Sequence, residues 1–136
     1  MHLLVREPIQ ARRVVHQLVG PAIGAVVTFE GLVRDHARGK AVLYLEYEAY
    51  EPMALAQMEA IIRNALEKWP VRDMAIVHRL GRLEIGECSV LIAVVSEHRK
   101  TAFEACQFAI DTLKQQVPIW KREFYTDGAA WIEGTS

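Results

Sequence analysis

SVLIAVVSEHRKTAFEACQFAIDTLKQQVPIWKREFY, Ser89 to Tyr125, changes its periodicity twice and so decides the fold class. Ser89 to Val95 is almost entirely apolar and rich in β-branched residues, the pattern of a central strand covered on both faces. Beyond it Ala102, Cys106, Ala109, Ile110 and Leu113 recur at helical spacing, and the helix stops before Pro118. The period then drops to two. Ile119, Lys121, Glu123 and Tyr125 share one strand face, while Trp120, Arg122 and Phe124 share the other. Asp127-Gly128, set between this run and AAWIE, signals a hairpin.

The same reading extends toward the amino terminus. Pro8 opens a short helix carrying Ala11, Val14, Val15 and Leu18, closed by Gly20. Gly24 to Val33 reads as a strand ending at Arg34, with Gly31 marking a bulge or a close backbone approach. The polar stretch Asp35–Lys40 reads as a mobile loop. In the strand after it, Leu43, Leu45, Tyr47 and Ala49 form the apolar face. Pro52 opens a second helix with Met58, Ile61, Ile62, Ala65 and Leu66 on its apolar side, ended by Trp69-Pro70. Met74–Leu80 is a further strand, joined to Ser89–Val95 by a turn-rich segment containing Gly81 and Gly86. The resulting order is helix, two strands, helix, two strands, helix, hairpin: an α+β arrangement within one domain, 1–136.

Composition narrows the function. With 51% hydrophobic and 24% charged residues the chain is neither disordered nor fibrous. Sixteen basic residues against seventeen acidic ones give a net charge of -1, which advertises neither nucleic acid nor an anionic membrane as partner. No apolar run reaches the roughly 20 residues of a membrane span, and no cleavable leader is visible, so a cytoplasmic location is expected. Cys88 and Cys106 stand apart and read as reduced structural thiols. The histidines lack ligand spacing, so neither metal nor cofactor is expected.

Four basic positions lie at element ends, where side chains from distant segments converge. Arg34 follows an apolar strand; alone it reads equally as a solvated strand-end arginine. His98 and Arg99 precede the third helix, where free backbone N–H groups favour an anion such as phosphate. The plainer alternative is that Ser96 or Thr101 caps that helix and both basic groups face water. Lys114 borders the buried stripe, suited to act as nucleophile or proton donor, or to snorkel into water. Lys121 gains meaning only in company. The residues by themselves lead to an anion-binding α+β domain.

Taken together, FEGLVR, LEYEAYEPMA, VHRLGRLEIGE, SEHRKTAFEACQFAIDTLKQQVPIWKRE and DGAAWIEG resemble the large subunit of molybdopterin synthase, the MoaE family, from about Gly24 to Gly134. The resemblance implies a two-layer α/β hammerhead with an additional small antiparallel β subdomain. It implies a homodimer within a heterotetramer, each end holding a small ubiquitin-like sulfur-carrier subunit with a carboxy-terminal Gly-Gly thiocarboxylate. The implied reaction moves that sulfur onto cyclic pyranopterin monophosphate to form the dithiolene of molybdopterin. Carried over residue by residue, Lys114 and Lys121 become the catalytic pair and also bind substrate. Arg34 lines the same pocket, while His98 and Arg99 reach it from the other protomer to hold the phosphate. The closing Glu133-Gly134-Thr135-Ser136 is not Gly-Gly, which fits the sulfur-accepting subunit rather than the donor; it departs from the family in lacking the longer tail of some relatives, so contacts made by such a tail are not carried over. Two other functions fit the same cations: a non-catalytic anion-binding module, and an adaptor that docks a ubiquitin-like protein without chemistry.

Overall fold

A computed structural model describes residues 1–133; the closing Gly134-Thr135-Ser136 lies outside the described residues. The elements are β1 (His2–Val5), α1 (Ala11–Leu18), β2 (Ala25–Leu32), β3 (His36–Ala37), β4 (Lys40–Ala49) and α2 (Glu51–Lys68). They continue with β5 (Val71–Arg79), β6 (Gly81–Glu84), β7 (Cys88–Ser96), α3 (Arg99–Gln116), β8 (Ile119–Tyr125) and β9 (Gly128–Glu133).

Two sheets share the work. The first runs β1-β5-β7-β2, with β1 parallel to β5 and the other pairs antiparallel. β5 from Met74 to His78 and β7 from Ser89 to Ser96 are buried because both faces are covered. Met74 and Ile76 join Val90, Ile92 and Val94 in the main core, against Met58, Ile61 and Ala65 of α2 and Ala105, Ala109 and Leu113 of α3. Their alternating neighbours Ala75, Val77, Leu91, Ala93 and Val95 turn to the opposite face, where α1 crosses β5 and β7, and are buried too. The second sheet runs β3-β4-β8-β9, with β6 also paired to β4, and one hydrophobic cluster unites it with the first. This is the expected α+β hammerhead with its antiparallel subdomain.

The structure corrects several details. β1, β3 and β6 are additional strands. They have four residues or fewer, too short to show a period, and inside β6 only Leu83 is buried. The apolar face of β4 is Val42, Leu45 and Tyr47, and Leu43 is exposed. A register shift between Val42 and Tyr44 changes the alternation there, which a strict two-residue period misses. Leu66, assigned to the apolar side of α2, is 39% exposed at its edge. The Asp35–Lys40 stretch is no open loop: β3 and β4 close it as a hairpin, with Ala37 opposite Lys40. Gly31 behaves as read, with the β2–β7 register shifting just beyond it and an added Cβ meeting Val90 Cγ1 at 2.8 Å.

Candidate active site

A cleft opens where the end of β2 meets the second sheet and the last turn of α3. β2 and its exit supply Phe29, Gly31, Leu32 and Arg34, and the β3–β4 hairpin supplies His36 and Ala37. Val42, Leu45 and Tyr47 come from β4, Ser89 and Val90 from β7, Lys114 from α3, and Lys121 and Glu123 from β8. Three of the cations singled out from the sequence, Arg34, Lys114 and Lys121, therefore meet in one place although up to 87 residues separate them (121 − 34).

The two lysines differ in setting. Lys114 is exposed at the cleft edge, while the Lys121 side chain is only 5% exposed. Burial pulls the Lys121 ammonium below the usual lysine range; the nearby Glu123 carboxylate pulls it back up, and the charges of Arg34 and Arg38 lower it further. Its Nζ lies 3.4 Å from Glu123 Oε2. The other oxygen, Glu123 Oε1, accepts a hydrogen bond from Arg38 Nη1 at 2.7 Å and one from the Tyr125 hydroxyl. That bond to a carboxylate raises the Tyr125 phenol above its ordinary range. Burial does the same to Tyr47.

Sequence reasoning placed Glu123 and Tyr125 on the Lys121 face but gave them no role; the signal was the two-residue alternation of β8. Tyr47, Ser89, His36 and Arg38 were missed as site residues, because nothing local shows that their strands meet there. Behind the cleft, His78 of β5 is fully buried and set edge-on to Tyr47, with ring centroids 5.0 Å apart. Its Nδ1 bonds the Arg79 carbonyl at 2.8 Å, its Nε2 has no hydrogen-bond partner among the described residues, and burial lowers its pKa to about 4.

His98 and Arg99 do not reach this cleft. They are exposed at the β7–α3 junction, at the far end of α3 from Lys114. Fifteen helical positions separate Arg99 from Lys114, or roughly 22 Å at 1.5 Å per residue. Ser96 Oγ and Thr101 Oγ1 are 3.0 Å apart, and Thr101 bonds the His98 carbonyl, so neither hydroxyl caps α3. The thiols are unsuited to ionise: burial raises the pKa of Cys88 and pushes Cys106 up to about 11. Among the described residues no cluster of His, Cys, Asp and Glu could hold a metal ion, and no helix is long and apolar enough to cross a membrane.

The family described as MoaE protein matches residues 4–116. The chain belongs to the MoaE family. Relatives named molybdopterin synthase catalytic subunit include those of Bacillus subtilis, 46% identical over 95% of this chain and 82% of the relative, and Halalkalibacterium halodurans, 44% identical over 95% and 83%. The crystal structure of molybdopterin synthase from Staphylococcus aureus superposes with a TM-score of 0.90 at 46% identity, covering 94% of this chain and 93% of that one. For a MoaE chain the cleft is thus the natural place to look for chemistry, and the far end of α3 needs a separate explanation.

Proposed function

We propose that this chain is the catalytic subunit of a molybdopterin synthase. It transfers sulfur from the thiocarboxylated carboxy terminus of a small ubiquitin-like subunit to cyclic pyranopterin monophosphate, forming the dithiolene. The observation that carries the reading is the convergence of Arg34, Lys114 and Lys121 on one cleft of a MoaE chain.

The cleft suits that chemistry. Thiocarboxylate, cyclic phosphate and departing carboxylate are all anions, so fixed cations stabilise both binding and the charge that develops during transfer. In each of two steps the thiocarboxylate sulfur forms a carbon–sulfur bond to the pterin as a carbon–oxygen bond of that carbon breaks, and water then cleaves the acyl–sulfur bond, so that the carrier leaves as carboxylate. Two carrier molecules are consumed per product. Lys114, exposed at the cleft edge, activates the pterin or holds it transiently. Lys121, buried and with its pKa lowered, assists as a cation or proton donor. Arg34 holds substrate at the cleft mouth.

His98 and Arg99 bind the substrate phosphate by extending into the cleft of a second protomer, which accounts for their distance from Lys114 within one chain. The unit is a homodimer with one carrier subunit at each end, acting in the cytoplasm, with residues 1–136 as a single domain. Reconstitution tests the reading: the purified chain, a thiocarboxylated small subunit and the cyclic pyranopterin are expected to yield dithiolene product, and omission of any one to yield none. Complex formation without product, using a carrier proven active on another large subunit, would leave only an adaptor.

A further inference from the structure

Arg38 occupies an unfavourable backbone position. Ala37 pairs with Lys40, so Arg38-Gly39 forms a two-residue hairpin loop with φ of 53° and 73°. A loop with positive φ at both central residues favours Asn-Gly or Asp-Gly; a long side chain at the first position is disfavoured. Arg38 is the only non-glycine with positive φ among the described residues.

Its side chain spans from the hairpin tip to the second strand away. It reaches across to β8 and places Nη1 2.7 Å from Oε1 of Glu123, a carboxylate only 3% exposed. The neighbouring Lys40 lies over the Tyr125 ring, 5.1 Å from its centroid, and makes a solvent-exposed contact with Asp127 at 3.3 Å, which water and salt weaken, but it does not touch Glu123 in the same way. Arg38 therefore joins the hairpin that carries His36 and Ala37 to the acid that holds Lys121. Strain kept at a residue with such a contact is the pattern expected of a functional constraint.

We propose that Arg38 is a positioning residue: from the hairpin tip it clamps Glu123, fixing both the cleft wall and the direction of the Lys121 ammonium. The inference rests on the sulfur-transfer reading of the cleft. Asn suits a positive φ, so Arg38→Asn removes the clamp and keeps the turn. In the reconstituted complex this variant is expected to lose about tenfold in kcat with KM for the pterin nearly unchanged and an equal or higher Tm. Arg38→Lys, which keeps the charge, restores part of the loss. Adding Arg38→Asn to Glu123→Gln costs nothing further, because one contact is removed twice.

A readout independent of turnover is tryptic cleavage after Arg38, expected to be slow in the wild type and faster in Glu123→Gln. Wild-type kcat in Arg38→Asn, a loss that adds to that of Glu123→Gln, or equal cleavage in both proteins would overturn the clamp. Absence of product from the wild type would sink the sulfur-transfer reading instead, and the cleavage comparison would still decide whether Arg38 is held.

Discussion

The two ends of α3 carry similar charges in opposite surroundings. At the carboxy-terminal end Lys114 meets Arg34, Lys121 and Glu123 in a cleft walled by two sheets and a hairpin. At the amino-terminal end His98 and Arg99 stand in solvent, with the Glu97 carboxylate 3.9 Å from the His98 ring. One end is assembled within the chain; the other, as proposed, takes its role against a second protomer. A cation buried beside others, as Lys121 is, costs desolvation and is kept where charge must be handled, whereas exposed cations cost little and suit an interface formed on assembly.

Breaking the enclosed end has the largest effect. Lys121→Ala removes a buried cation and takes the ammonium away from Glu123 Oε2, and turnover is expected to fall about a thousandfold, measured as dithiolene product per active site. A loss under threefold would place Lys121 among the packing residues.

The enclosed end also carries a pH liability. His78 in unfolded chain takes up its proton near 6.5, but in the fold only near 4. Between those values the unfolded state binds more protons, so stability falls as pH is lowered through that window and is flat above it. The shift corresponds to about 3 kcal/mol. Denaturant titrations at pH 7 and pH 4 are expected to show that loss in the wild type and a smaller one in His78→Phe; equal losses would remove His78 from the explanation.

The open end gives the smallest effect and the sharpest geometry. Arg99→Ala is expected to raise KM for the pterin about tenfold, since one charge-assisted contact to phosphate is lost. If Arg99 serves the partner's cleft, a mixed dimer of Arg99→Ala and Lys114→Ala rebuilds one intact site. Re-equilibrating the two variants in equal amounts should then recover about a quarter of the wild-type sites. No recovery would return Arg99 to its own chain's surface.

Much of this was legible in sequence because the central elements have clear periods. The unbroken apolar run of β7 and the helical stripe of α3 announced their burial, while the alternation of β8 grouped Lys121 with Ile119, Glu123 and Tyr125 on one face without showing that this face is buried. Less was legible where geometry departs from a period. The register shift in β4 turned Leu43 outward, and strands as short as β3 and β6 are defined by their partners. Arg38 was read as part of a loose loop because its partner is 85 residues away. Arg34, Lys114 and Lys121 were singled out by their places at element ends and received roles only through family resemblance, and their convergence depends on pairings that no local pattern encodes.

The most direct measurement compares wild type and Lys114→Ala in the reconstituted reaction, with binding of the carrier subunit followed alongside. The account predicts dithiolene product from the wild type and none from the variant, with the carrier still bound by both. Equal product from the two proteins would contradict the central role of Lys114 and move the chemistry to another residue of the cleft.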